Sequence, residues 1–441
     1  MFVLGWTTFA FAGLYPALLP VPLVVLAVLA IAYRPWEHDR RSIPALDAWL
    51  WIALAVIAVQ LVPLPRPIID VLSPAARPVN ERLQLAVPGA LPISLDPSRT
   101  VNALAAASAA IAVFLVARRI FASCGVRVVA RGVAIIGMLL STIALAQNAT
   151  ARGLMYWRWR PLDEGPDPFG PFVNRNHFAT WAILAIPICV GYLAAHSAAH
   201  AHRTPENLPW RRRVATFVDG RALALTSAAG LLLVALVMSL SRSGLFGLGI
   251  AAVAGLALSL RHHGSTGRAG WWLSAGILIA VALALAELSP AAFAARLSTF
   301  RVSAGYRWVI WQETMPILRD FWLTGTGAGT YLTSMLVYQR SAPGWLFNQA
   351  HNHYLQVASE GGLLVGAPVL MALICLAHEG WRAVADDKSG MYWIRAGALC
   401  ALAAVAAQSV WETGLTMPAN AMLAALAAAI AVHDPSPRAR R

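Results

Sequence analysis

The chain has 441 residues, 59% of them hydrophobic and 12% charged, and its mean hydropathy is +0.62. A soluble globule has too little interior to hide that much apolar surface, and the apolar runs are continuous and rich in Ala and Leu, without the period-two alternation of a transmembrane β-barrel. The net charge of +14 lies between those runs, where it reports membrane topology and gives no reason to expect nucleic acid.

The expected fold is therefore an all-α polytopic membrane protein. Residues 2 to 33 are apolar throughout but carry Pro16, Pro20 and Pro22, so they divide into two short helices, the first retained in the membrane rather than cleaved as a leader. Further spans are expected near 45 to 63, 99 to 117, 128 to 148, 176 to 195, 222 to 240, 243 to 260, 270 to 288, 354 to 377, 393 to 409 and 418 to 433, about twelve in all. Cys124, Cys189, Cys375 and Cys400 fall in or beside these runs without C-x-x-C spacing, and read as small buried hydrophobes.

Orientation follows from the basic residues, nearly all arginine with Lys388 the one lysine. One set of connections, which includes Arg211 to Arg213 and the tail Arg438, Arg440 and Arg441, holds 20 Lys plus Arg against 9 acids; the other holds 14 against 11, borderline residues going to the nearer side. The first set is expected inside, with both termini. Three regions result: about nine helices in 1–288, a large periplasmic loop containing short helices at 289–353, and three helices with a cytoplasmic tail at 354–441. On the same outer side, residues 64 to 98 are too proline-rich to span and too apolar to float free, which predicts a loop with a short interfacial helix. Residues 149 to 175 interleave Trp157 and Trp159 with Arg158 and Arg160. Two readings stand there: a platform for sugar and phosphate, or an aromatic belt at the headgroups.

Arg242 lies in a tight turn between two apolar runs. A guanidinium that near hydrocarbon is costly, up to about 2.5–3.5 kcal/mol at a helix centre, so an anionic partner such as phosphate is expected; a snorkelling arginine is the alternative. Arg307, Trp308 and Trp311 share a helical face. Gly325-Thr326-Gly327-Ala328-Gly329 lacks the Gly-Lys-Ser/Thr ending of a phosphate loop and reads as a tight loop at the bundle mouth. His351 and His353 have no evident third ligand, so no metal set is predicted. With a helix starting near Asn352, His351 sits at its positive end, which favours the neutral imidazole of a base; a capping or packing role is the alternative. Asn352, Gln356 and Glu360 form a polar stripe on the following span, where Gly361, Gly362 and Gly366 permit close helix approach.

On these residues the chain resembles the O-antigen ligase and O-antigen polymerase family of bacterial membrane glycosyltransferases. The likeness rests on Asn174-Arg175-Asn176-His177, on Ser241-Arg242-Ser243-Gly244, and most specifically on His351-Asn352-His353-Tyr354-Leu355-Gln356 followed by Glu360 and Gly362. Val365 and Phe246 depart from the family's usual residues. The resemblance implies inverting transfer of a polyprenyl-pyrophosphate-linked glycan at the periplasmic face of the inner membrane, with neither metal nor cofactor. The acceptor would be lipid A core, a growing glycan or protein. Arg242 and Arg307 would bind the departing pyrophosphate and His351 would activate the acceptor hydroxyl. Arg175, Asn176, Asn352, Gln356, Arg158 and Arg160 are expected to bind substrate, and membrane lipid is a further partner of the protein. A twelve-span polysaccharide or small-molecule transporter or flippase is the competing class; it predicts internal repeats and ionisable residues at mid-membrane, neither of which is evident.

Overall fold

A computed structural model describes residues 1–37, 43–85, 89–161, 168–201, 219–261, 276, 290–341, 344–387 and 389–433, with the side chains of 122–124, 201 and 290–304 outside the description. The expected span at 270 to 288, the arginines at 211–213, 438, 440 and 441, and the side chains of Cys124, Arg296 and Arg301 fall outside it. Among the described residues seven helices are long and apolar enough to cross a membrane, and three apolar helices at 44–59, 392–408 and 418–431 are shorter.

Helix starts follow local chemistry. Proline opens α2 (Pro20–Tyr33), α3 (Pro44–Val59) and α6 (Pro97–Cys124), where the missing N–H would have no helical partner. Helix α1 (Phe2–Phe9) has only 8 residues, about 12 Å of rise, too short for a hydrocarbon core of about 30 Å. The expected first span is corrected accordingly: positive φ at Phe11 and Ala12 ends the helix, and the membrane-length element is 16–33.

The region 64 to 98 holds two short helices, α4 (Arg66–Leu72) and α5 (Ala76–Arg82), between the paired two-residue strands β1 (Leu64–Pro65) and β2 (Ala90–Leu91). It does not stand alone. Ile69, Val79 and Leu91 share a core with Ile317, Phe321 and Met335, on α11 (Pro290–Asp320) and α12 (Tyr331–Tyr338). Two loops more than 200 residues apart thus form one packed unit.

The larger core surrounds α8 (Arg175–Ala201), 94% of whose apolar window is buried. Packed on it are α7 (Val126–Thr150), α9 (Gly220–Met238), α10 (Arg242–Arg261), α14 (Tyr392–Gln408) and α15 (Pro418–Ala431). The α8–α14 approach depends on Gly191 and Gly397: a Cβ at either would lie 2.3 Å from the opposing Trp393 or Pro187 carbonyl oxygen.

Helix α13 (His353–Ala385) contains the span expected at 354 to 377 and breaks at Gly362, with φ 55° and ψ −158°. The segment 322–327 docks on the break. Leu363 N–H donates to Trp322 O at 2.8 Å and Leu364 N–H to Leu323 O at 3.0 Å, while Thr326 and Gly327 N–H groups donate to Ser359 and Glu360 carbonyls at 3.0 and 2.9 Å. These bonds satisfy backbone groups that the break frees. Gly362 serves this docking, whereas among the described residues a Cβ at Gly366 would meet nothing within 4 Å.

Candidate functional site

The predicted residues gather around one side chain that sequence reasoning passed over, Glu412, in the connection between α14 and α15. It is 1% exposed. Arg307, projecting from α11, donates through Nη2 to Glu412 Oε1 at 2.6 Å, and Asn176 Nδ2 donates to the same oxygen at 2.9 Å. His351 Nδ1 lies 3.6 Å from Oε2, an ion-pair separation just beyond hydrogen-bond reach. Ser241 Oγ donates to Asn176 Oδ1 at 2.9 Å. Arg242, exposed at the start of α10, is therefore one residue from a hydrogen-bond chain that ends on Glu412.

Each element delivers its residue for a local reason. Asn174 Oδ1 accepts from Asn176 N–H at 2.8 Å, turning the chain into α8 with Asn176 in the first turn. Asn352 caps α13, its Oδ1 accepting from Leu355 N–H at 3.0 Å, which leaves His351 just before the helix. His351 itself has φ +47°, a left-handed conformation that costs a non-glycine residue about 1–3 kcal/mol and is held by its surroundings. Those surroundings are the Trp311 Nε1 bond to Ala350 O at 3.0 Å, the Ala350 N–H bond to Gln356 Oε1 at 3.2 Å and the His353 N–H bond to Ser409 O at 2.8 Å.

The electrostatics are those of a mixed-charge cluster. Burial pushes the Glu412 carboxyl up, but the adjoining His351 and Arg307, with His177 behind them, more than offset this and hold it below its ordinary value. Among the described residues, several buried polar atoms here have no hydrogen-bond partner: Arg307 Nε, His351 Nδ1, His353 Nδ1, His177 Nε2 and Glu412 Oε2. Buried polar atoms normally find hydrogen bonds, so such a concentration marks a place built for water or ligand.

The other predicted residues are placed differently. Gln356 is buried and donates through Nε2 to Glu360 Oε1 at 3.1 Å while its oxygen holds Ala350; Asn352 is occupied by capping. Arg175 is half-buried beside Asn176. Arg158 and Arg160 are exposed on a turn that the structure does not join to the Glu412 network. The neighbouring Trp159 packs on Phe11 and Tyr15, with ring centroids 5.0 and 5.6 Å away, while Trp157 is exposed and donates to Thr150 at 2.7 Å. A sequence signal for Glu412 existed: it is the only acidic residue between 388 and 433, and an isolated carboxylate between two apolar helices calls for a partner.

Residues 227–370 match the family model described as O-Antigen ligase. No curated protein matches the chain. The matched stretch carries Arg242, Arg307 and His351, while Asn176 and Glu412 join them from either side of it. That match covers about a third of the chain, and through residues 227–370 the chain is similar to O-antigen ligases.

Proposed function

We propose that the protein is an inverting glycosyltransferase of the inner membrane that moves a glycan from polyprenyl pyrophosphate to an acceptor hydroxyl at the periplasmic face. The observation that supports this most is the meeting of Arg307 and His351 on Glu412, with the Arg242 turn tied to the same carboxylate through Asn176. Breaking the anomeric C–O bond leaves charge on the pyrophosphate, and fixed guanidiniums stabilise that charge without reorganising. Arg307 has one Nη atom on Glu412, which fixes the plane of its fork and leaves further donors for a phosphate oxygen. Arg242, exposed and one residue from the network, supplies the second cation.

Glu412 also gives His351 a direction. A carboxylate facing Nδ1 favours the tautomer with the proton on that nitrogen, so Nε2 keeps its lone pair for the acceptor hydroxyl. The hydroxyl oxygen attacks the anomeric carbon opposite the pyrophosphate, its proton passes to Nε2, and the configuration inverts. The periplasmic direction is supported by the lower excess of basic residues on the connections that carry Arg307, His351 and Glu412.

The test is to replace His351, Arg242 and Arg307 singly by Ala and to measure surface polysaccharide and lipid-linked donor at matched membrane expression. Loss of polymer with accumulation of donor is expected in each. Normal polysaccharide in all three variants would overturn the proposal.

A further inference from the structure

At the opposite end of α8, His196 and His200 stand one helical turn apart and face Asp219, the residue that caps α9. His196 Nε2 lies 3.0 Å from Asp219 Oδ1, and His200 Nε2 lies 3.8 Å from Oδ2. The three ligating atoms all fall within 4.8 Å of one another, and among the described residues no other His/Cys/Asp/Glu cluster has this geometry. Two donors each about 2.0–2.1 Å from a tetrahedral ion stand about 3.3 Å apart. The separations to Asp219 bracket that value, so small side-chain rotations would close all three donors on one centre.

We propose that His196, His200 and Asp219 form a binding site for a divalent transition metal ion, with Zn2+ the best chemical fit. Two imidazoles with one carboxylate select a borderline ion over Mg2+ or Ca2+, which take oxygen ligands. The donors are partly fixed in advance. The imidazoles share a helix face at i and i+4, and Asp219 Oδ1 accepts from Arg221 N–H at 3.0 Å and Ala222 N–H at 2.8 Å. Side-chain exposures of 11%, 31% and 39% for His196, His200 and Asp219 give an ion a route in while keeping the site partly dry. The ion would clamp the end of α8 to the start of α9, about 30 Å along α8 from Asn176. It would therefore be structural with respect to glycosyl transfer, and the inference is independent of the function proposed above.

The experiment uses the full-length protein purified without a polyhistidine tag, stripped with chelator and titrated with Co2+ and then Zn2+. The expected result is one equivalent of Co2+ showing the intense visible d–d bands of a tetrahedral or five-coordinate site, bleached by Zn2+, and a Zn2+-dependent rise in Tm. His196→Ala, His200→Ala and Asp219→Asn should each weaken binding at least ~10-fold. Asn caps a helix as well as Asp does, so the last variant loses a ligand without losing the cap. His351→Ala should keep full stoichiometry, which excludes the His351/His353 pair as the source of the signal. Absence of both the bands and the Tm shift in the wild type would overturn the proposal, as would unchanged binding in the His196→Ala/His200→Ala double variant.

Discussion

Two glutamates, Glu412 buried and Glu360 half-buried, have opposite surroundings. Glu360 is enclosed by neutral donors: Gly329 N–H at 2.8 Å on Oε2, and Tyr331 N–H at 3.2 Å and Gln356 Nε2 at 3.1 Å on Oε1. Its backbone oxygen accepts from Gly327 N–H and from Gln60 Nε2. The three backbone donors, Gly327, Gly329 and Tyr331, hold the 322–331 segment against the broken helix. Glu412 instead has a guanidinium and an amide on one oxygen, an imidazole at 3.6 Å from the other, and no hydrogen bond to that second oxygen. A carboxylate whose lone pairs are filled by backbone amides shapes a loop. One placed between two titratable or cationic side chains, with an oxygen left open, sets their orientation for chemistry.

The largest separation between the two should appear in turnover. Removing the proposed base with His351→Ala is expected to lower the rate of the proposed glycan transfer by about 10²–10⁴-fold with little change in thermal stability, because among the described residues His351 has no hydrogen-bond partner at Nδ1. An assay on purified protein with lipid-linked donor and acceptor checks this; a rate within a factor of two of wild type would remove His351 from the chemistry.

Next in size is the charge left behind when Arg307 is lost. Glu412 is 1% exposed, so Arg307→Ala strands a carboxylate in the interior and is expected to cost about 3–5 kcal/mol of stability along with activity. Arg307→Ala/Glu412→Gln should recover most of that stability and none of the turnover. A thermal-denaturation cycle over the four proteins measures the coupling. If the double variant is as unstable as Arg307→Ala alone, Arg307 acts through packing and the contrast with Glu360 weakens.

Smaller, and purely structural, is Glu360→Gln. Replacing one oxygen by an NH2 group turns an acceptor of backbone N–H into a donor, leaving Gly329 or Tyr331 N–H unsatisfied at about 1–3 kcal/mol. The variant should melt earlier, yet its folded fraction should transfer glycan at close to the wild-type rate. Glu412→Gln should lose turnover as well as stability, so measuring Tm and rate on both variants tests whether the two carboxylates divide as described.

The parts of this arrangement that are legible in the sequence are those that break a local rule. Arg242 stands out because it interrupts hydrocarbon, His351 because it precedes a capping Asn352, and Asn176 because it opens an apolar run. Glu412 escaped attention because its main partner, Arg307, is 105 residues away and its own connection is short and unremarkable. The helix break at Gly362 was hidden for a related reason: paired glycines in an apolar run fit a helix–helix contact equally well, and only the docking of Trp322 and Leu323 carbonyls on Leu363 and Leu364 distinguishes the two. The Trp–Arg interleaving at 157–160 points the other way. Its local pattern fits a sugar platform, yet Trp159 is absorbed by packing against Phe11 and Tyr15, residues with no sequence relation to it.

The finest distinction is in the response to acid. Glu412 is held below its ordinary value, so in the folded protein it stays ionised at pH values where the unfolded chain, with a carboxyl near about 4.3, has begun to take up protons. A depressed folded-state value contributes stability that is fully present above the unfolded value and is lost as pH falls through the folded one. The difference in Tm between wild type and Glu412→Gln should therefore shrink as pH falls below about 4.3. A difference that stays constant as pH falls well below that value would mean that the charge on Glu412 contributes nothing to stability, and the carboxylate would then not be the fixed charge that orients Arg307 and His351.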